Sequence, residues 1–256
     1  MTEKKRLSGV YLLPNLITTG SLFSGFYSII SSINGDIITA IFAIIVAMIL
    51  DGLDGRVARL TKTQTSFGAH YDSLSDMICF GVAPALLMYT WSLSNFNTFG
   101  WHWSKIAWIS CFIYVAAAAL RLARFNSKIQ LQDKKYFIGL ASPAAAAVIV
   151  CYAWLIENSS IAVLDVTILS LILLLTLSVL MISNITYYSF KDIDIRHKVP
   201  HISLFLIVLG LSFVSFDPPK VLLSFFILYA LSGPILLILR VMKKKNIRSE
   251  KKPTGT

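Results

Sequence analysis

The chain has 256 residues, of which 56% are hydrophobic and 14% charged, and its mean hydropathy is +0.71. This composition excludes a typical soluble globular protein and predicts a polytopic membrane protein. The formal net charge of +10 is explained by basic loops that face anionic lipid headgroups, so we do not expect the chain to bind nucleic acid.

Uncharged stretches follow one another along the whole chain. They are 7–35, 37–50, 77–104, 106–120, 136–156, 166–190, 199–216 and 221–239. Most approach the roughly 20 residues that a membrane-spanning helix requires. The predicted fold class is therefore an all-α polytopic membrane helix bundle with about eight transmembrane helices. Pro14 and Asn15 predict a break in the first stretch, with an interfacial helix before the first span.

The basic residues predict the orientation of this bundle. If both termini are cytoplasmic, all Lys and Arg residues except Lys105 and Lys220 fall on the cytoplasmic side, as the positive-inside rule requires. The segment around residues 51–76 then also faces the cytoplasm. We expect the protein in the cytoplasmic (inner) membrane of a bacterium, in contact with membrane lipids.

Four aspartates lie within this segment, next to strongly apolar sequence. Asp51 and Asp54 are three residues apart and Asp72 and Asp76 four apart, so each pair lies on one face of a helix. An unpaired carboxylate in hydrocarbon costs at least ~2.5 kcal/mol, which indicates a shared cationic partner. Carboxylates without Cys or His favour Mg2+ or Mn2+, and a two-ion site could clamp a pyrophosphate. An intramembrane cation transporter is the alternative, although it would be expected to spread its acids across several helices.

The spacing D-x2-D-G-x2-A-R-x8-G-x3-D-x3-D runs without a gap from Asp51 to Asp76. It resembles the signature of the CDP-alcohol phosphotransferase family. The resemblance implies that an alcohol displaces CMP from a CDP-linked group. The residues that match are Asp51, Asp54, Gly55, Ala58, Arg59, Gly68, Asp72 and Asp76.

Other segments resemble the CDP-diacylglycerol serine phosphatidyltransferases within this family. They are FGAHYDSLSDMICFGVAPA at 67–85, ALRLARFN at 119–126, YFIGLASPAAA at 136–146 and SNITYYSFKD at 183–192. The implied substrates are CDP-diacylglycerol and L-serine; glycerol 3-phosphate, an inositol phosphate or choline are the alternative acceptors. One departure is Ala141, where that group usually has proline. The resemblance implies one membrane domain over 1–256, with a catalytic core at about 12–192, two further helices at about 199–240 and a basic tail at 241–256.

The resemblance also implies roles for individual residues. Asp51, Asp54 and Asp72 would hold one metal ion, and Asp72 with Asp76 the second. Asp76 would be the catalytic general base toward the serine hydroxyl. The small and basic residues of the motif would line the pocket for cytidine and phosphate: Gly52, Gly55, Ala58, Arg59 and Gly68. A homodimer is expected because dimers are common in the family.

Residues outside the motif are further candidates for substrate binding. Asn15 and Thr18 could reach the nucleotide or satisfy backbone groups near the expected break. Arg121 and Arg124 lie three residues apart at the cytoplasmic end of the fourth span. They could hold the serine carboxylate or a lipid phosphate, or act as positive-inside anchors. Gly20, Ser24 and Ser28 form a small-residue stripe that would permit close helix packing, either within the bundle or between subunits.

Overall fold

The computed structural model of the protein describes residues 12–128, 136–188 and 201–250. Its helices are α1 (Leu12–Ile33), α2 (Ile37–Thr61), α3 (Ser66–Asp76), α4 (Ala83–Trp91), α5 (Trp101–Lys128), α6 (Ser142–Glu157), α7 (Thr167–Ile182), α8 (His201–Phe216) and α9 (Pro218–Glu250). Two short strands, β1 (Tyr136–Ile138) and β2 (Thr186–Tyr188), pair antiparallel, with Phe137 opposite Tyr187.

The predicted all-α membrane bundle is confirmed, whereas the number of spans is not. Six segments of the described chain are long and apolar enough to cross a membrane. One of them, 66–91, joins α3 and α4 through a π-helical turn at Met77–Val82. The apolar helices α6 and α8 have 16 residues each, which is short for a span. The count of eight therefore stays a prediction.

Helix α1 passes through Pro14 without interruption. Pro14 is the third residue of the helix, where the backbone N–H would have no partner within the helix in any case. The expected break at Pro14 and Asn15 is therefore absent from the described residues. The interfacial helix expected before the first span would lie N-terminal to Leu12, outside the described part of the chain.

Small residues bring α1 and α2 close together. The Ser21 hydroxyl donates to the carbonyl of Ala47 at 3.0 Å, and the Ser28 hydroxyl donates to that of Ala40 at 2.9 Å. The buried face of α1 thus carries Ser21, Gly25 and Ser28. Of the predicted stripe, Ser28 lies on this face, whereas Gly20 and Ser24 are half-buried. This packing, which small residues permit, sets the start of α1 beside the end of α2.

The π-helical turn after α3 has a local cause. In an α-helix the carbonyl of Phe80 would accept from residue 84, but Pro84 has no N–H. The buried Tyr114 hydroxyl of α5 donates to the Phe80 carbonyl instead, at 3.1 Å. Proline and π-helical turns commonly interrupt regular helices near functional sites. Here the interruption begins directly after Asp76.

Helix α9 packs against α6 and contacts β2. Helix α9 continues through Glu250, so the tail expected from residue 241 is helical that far.

Ala141 stands where the serine phosphatidyltransferases usually have proline, and the local backbone would accept proline. Ala141 has a φ of −64°, and proline fixes φ near −65°.

Candidate metal and nucleotide site

Three carboxylates meet where the end of α2 lies beside α3. Asp51 comes from α2, and Asp72 and Asp76 lie one turn apart on α3. One oxygen from each of the three side chains lies within 4.8 Å of the others. The structure therefore brings together three of the four aspartates singled out in the sequence.

The cluster has the donors and the charge of a site for a hard divalent cation. The carboxyl groups of Asp51, Asp72 and Asp76 lie close together, and neighbouring carboxylates repel one another unless a cation lies between them. The Oδ1 atom of Asp76 is buried without a hydrogen-bond partner among the described residues. A buried polar atom of this kind is costly, and an oxygen-ligated divalent cation would compensate it. The residues present therefore fit a metal ion.

Asp54 makes its contact with α1. The residue is only 4% exposed, and its Oδ2 atom lies 2.5 Å from the Thr18 hydroxyl. The same hydroxyl lies 3.1 Å from the carbonyl oxygen of Pro14. A hydrogen bond to a carboxylate is charge-assisted and therefore strong, so Thr18 holds the Asp54 side chain in place. The role of Asp54 as a metal ligand stays a prediction.

A cavity of about 290 Å3 adjoins the cluster and shares Asp72 with it. Its wall is formed by the start of α1, the end of α2 and the start of α3. Its size is near the lower end for small-molecule sites, and it combines polar side chains with one arginine. It is lined by residues predicted to bind the nucleotide: Asn15, Thr18, Gly55, Ala58, Arg59 and Gly68.

The loop between α2 and α3 also lines this cavity, and sequence reasoning missed it by treating these residues as a spacer in the motif. Thr63, Gln64 and Thr65 all contribute. Lys62, directly after the end of α2, caps this helix in a left-handed conformation with φ 54°. The Thr65 hydroxyl then accepts from the backbone N–H of Gly68 at 2.9 Å and caps α3. Threonine is a preferred helix N-cap, and this was the available signal for a tight, ordered loop.

The three glycines between Asp51 and Asp76 have different surroundings. A Cβ atom at Gly68 would lie 3.1 Å from the Thr65 hydroxyl and 3.4 Å from the Asn15 side-chain oxygen, which is a tight fit. A Cβ atom at Gly55 would make an ordinary contact with the Arg59 guanidinium at 3.5 Å. Gly52 faces open space and does not line the cavity. Among these glycines, Gly68 is therefore the one required by close packing.

Arg121 and Arg124 have different partners although they are neighbours on α5. The Arg124 Nη1 atom donates to the carbonyl of Ile182 at 2.9 Å, at the end of α7. The Arg121 Nη1 atom donates to the Ser142 hydroxyl at 2.8 Å, and Arg121 interacts electrostatically with Asp76. The structure thus links Arg121 to the acidic cluster and gives Arg124 a structural partner.

Comparison with known proteins identifies the family. The model of the CDP-alcohol phosphatidyltransferase family matches residues 11–182, which include the aspartate cluster and the cavity. The chain belongs to this family. Members of the family are metal-dependent, in agreement with the donor set described above.

Curated relatives extend the similarity beyond the family model. A CDP-diacylglycerol-serine O-phosphatidyltransferase from Helicobacter pylori is 36% identical over 241 residues, which cover 94% of this chain and 98% of the relative. One of the same name from Methanocaldococcus jannaschii is 35% identical over 222 residues, covering 87% and 96%. An archaetidylserine synthase from Methanothermobacter thermautotrophicus is 33% identical over 189 residues, covering 73% and 74%.

Proposed function

We propose that this protein transfers the phosphatidyl group of CDP-diacylglycerol to L-serine, producing phosphatidylserine and CMP. The observation that carries the proposal is the three-carboxylate cluster beside a cavity that shares Asp72 with it. Anionic ligands for a divalent cation thus adjoin a space with an arginine in its wall, as a pyrophosphate-linked nucleotide requires. The relatives named for serine transfer, aligned over nearly the whole chain, support the acceptor.

The aspartates and the cavity would bind different parts of CDP-diacylglycerol. Asp51, Asp54, Asp72 and Asp76 would hold Mg2+ or Mn2+ in a two-ion site. Such ions, when bound, neutralise the diphosphate and stabilise the charge that develops on the leaving CMP. Arg59 would donate charge-assisted hydrogen bonds to phosphate oxygens. The cytidine portion would lie against other residues that line the cavity: Asn15, Thr18, Gly55, Ala58 and Gly68.

Asp76 would accept the proton of the serine hydroxyl. A carboxylate has two oxygens, so one oxygen of Asp76 could bind the cation while the other accepts this proton. The serine oxygen then forms a bond to the phosphorus of the phosphatidyl group, and the bond between this phosphorus and the CMP oxygen breaks. Phosphatidylserine and CMP result.

The site would face the cytoplasm of a bacterium from its inner membrane, with both termini on the same side. Helix α5 supports this orientation, because Lys105 and Arg121 are 16 positions apart and therefore about 24 Å apart along the helix. Lys105 lies over the ring of Trp101 at 3.4 Å, as expected of an aromatic belt at the opposite interface. We also propose a homodimer, by analogy with the family.

The direct test measures CMP release by the purified protein in detergent, with CDP-diacylglycerol and Mg2+ or Mn2+. L-Serine should support release, whereas glycerol 3-phosphate, inositol phosphate and choline should not. Chelation of divalent cations and the Asp76→Asn variant should each abolish the serine-dependent release. Release with another acceptor but not with serine would contradict the proposed substrate. A lack of release with every acceptor would contradict the transferase and revive the cation transporter as the alternative.

A further inference from the structure

The loop between α2 and α3 places two threonine hydroxyls in the wall of the cavity. Thr63 and Thr65 both line it, on either side of Gln64 in the sequence. The loop is anchored at both ends. The backbone N–H of Thr63 donates to the carbonyl of Ala58 at 3.0 Å, and Thr65 is the N-cap of α3. The ends of two helices therefore fix where these hydroxyls lie.

A short chain of hydrogen bonds fixes the direction of the Thr63 proton. The Thr61 hydroxyl donates to the carbonyl of Val57 at 2.8 Å, and a carbonyl can only accept. The hydroxyl oxygens of Thr61 and Thr63 lie 2.6 Å apart, so a proton lies between them as well. Thr61 has already given its single proton to Val57, and this second proton therefore comes from Thr63. Thr63 is only 8% exposed, and its oxygen offers the cavity lone pairs without a proton.

The Thr65 hydroxyl has the opposite polarity. Its oxygen accepts the backbone N–H of Gly68 at 2.9 Å. The proton of the same hydroxyl points away from that N–H and can be donated to another group. The loop thus offers the cavity an acceptor at Thr63 and a donor at Thr65, and neither side chain is charged.

An uncharged acceptor and donor of this kind match the pairing edge of cytosine. Cytosine presents an exocyclic amino group, which donates, whereas uracil and thymine present a carbonyl oxygen at the same place, which accepts. The Thr63 oxygen would accept a hydrogen bond from the amino group and would repel the carbonyl oxygen. A site built for one hydrogen bond discriminates against an analogue that leaves its buried polar groups unpaired.

The distance from the acidic cluster also suits a nucleobase. Thr65 and Asp72 are seven positions apart, which corresponds to about 10 Å along α3. In CDP the ribose separates the base from the diphosphate. A diphosphate that binds a metal ion at Asp72 therefore leaves its base free to extend toward the loop, which contributes uncharged side chains to the cavity.

We infer that Thr63 selects cytosine over uracil in the nucleotide-linked substrate, and that Thr61 is the positioning residue that sets the direction of the Thr63 proton. The inference rests on the proposed function and names the residues that recognise the nucleobase of its substrate. Thr65 would donate its proton to the ring nitrogen of cytosine that lies next to the amino group.

Isothermal titration calorimetry of the purified protein in detergent with Mg2+ tests the inference, with CDP and UDP as the two ligands. The wild-type protein should bind CDP about tenfold more tightly than UDP, or better. Thr63→Val keeps the branched shape and removes the acceptor, so the ratio should fall to less than about threefold, mainly through weaker binding of CDP.

The Thr61→Val variant tests the direction of the proton. It leaves the residues that line the cavity unchanged but releases the Thr63 proton, which could then be donated to the carbonyl oxygen of uracil. UDP should therefore bind more tightly to this variant than to the wild type, a gain that mere damage to the structure would not produce. Thr176→Val is the matched control, because the Thr176 hydroxyl also donates to a carbonyl four residues earlier, at 2.7 Å, but in α7. Its affinities for both nucleotides should be unchanged.

Three outcomes would overturn the inference. Equal binding of CDP and UDP by the wild-type protein would exclude selection between the bases. Equal losses of affinity for both nucleotides in Thr63→Val would place the hydroxyl against the ribose or a phosphate, which CDP and UDP share. Unchanged binding of UDP by Thr61→Val would refute the positioning role. Serine-dependent CMP release is measured separately, so a failure of the proposed transfer to serine is distinguished from a failure of base selection.

Discussion

Removing the Thr18 hydroxyl tests whether Asp54 belongs to the working site. Thr18→Val preserves the branched shape of the side chain and deletes only the donor that lies 2.5 Å from the Asp54 carboxylate. Both residues are 4% exposed, so water cannot easily replace the lost hydrogen bond. Hydrogen bonds to charged groups contribute about 1.5–3 kcal/mol. At about 1.4 kcal/mol for each factor of ten, kcat/KM for CDP-diacylglycerol should fall roughly 10- to 150-fold.

The adjacent threonine provides the matched control. Thr19 is exposed and its hydroxyl lies 2.9 Å from that of Tyr71, so Thr19→Val should change kcat/KM by less than about threefold. CMP release should be measured over a range of Mg2+ concentrations. The Thr18 variant should require more Mg2+ if Asp54 is a ligand. Equal behaviour of the two variants would refute the reasoning, because the buried contact would then contribute nothing to function.

Two further predictions concern the packing that supports the site. Tyr114→Phe should lower the free energy of unfolding by about 1–3 kcal/mol, because the carbonyl of Phe80 loses its buried donor; reversible unfolding in mixed detergent measures this, and no change would contradict the assigned hydrogen bond. Gly25→Ala should lower it by about 1–3 kcal/mol, because the new methyl group would meet Cys79 Sγ at 2.6 Å and α1 would have to move. Gly20→Ala, whose methyl would have an ordinary contact, is the control, and equal stability of both variants would refute the packing argument.

Local helical geometry made most of the acidic cluster predictable. Asp72 and Asp76 are four residues apart, and in a helix that spacing alone places two side chains together. The contribution of Asp51 required only that two consecutive apolar helices return to the same side of the membrane. Asp54 shows the limit of this argument. It shares a helix face with Asp51 by spacing, yet its partner Thr18 lies on another helix, and the packing of α1 against α2 decides that contact.

Partners distant in sequence could not be predicted from spacing. Arg121 and Arg124 share the same helix face and seemed equivalent as substrate ligands. Arg124 is occupied by the end of α7, whose position depends on where that helix stops. Arg121 donates a hydrogen bond to Ser142 because α6 begins at Ser142, beside α5. Tertiary structure, and not spacing, therefore determines which of the two arginines has a structural partner at the end of α7.

The start of α1 shows how a local pattern can mislead. Pro14 seemed able to break α1, although it stands at a position where a helix tolerates proline. The stripe of Gly20, Ser24 and Ser28 contacts α2 through the Ser28 hydrogen bond to Ala40, and its packing between subunits stays a prediction. A local pattern thus permits a contact or a break without requiring it.

The central claim is that the serine hydroxyl oxygen becomes bonded to the phosphatidyl phosphorus. Incubation of the protein with CDP-diacylglycerol, a divalent cation and L-serine carrying 18O in its hydroxyl group tests this directly. Mass spectrometry should find the 18O in phosphatidylserine and none in CMP, with CMP formed in equal amount to the lipid. Phosphatidylserine without the label, or CMP formed equally well without serine, would contradict the account.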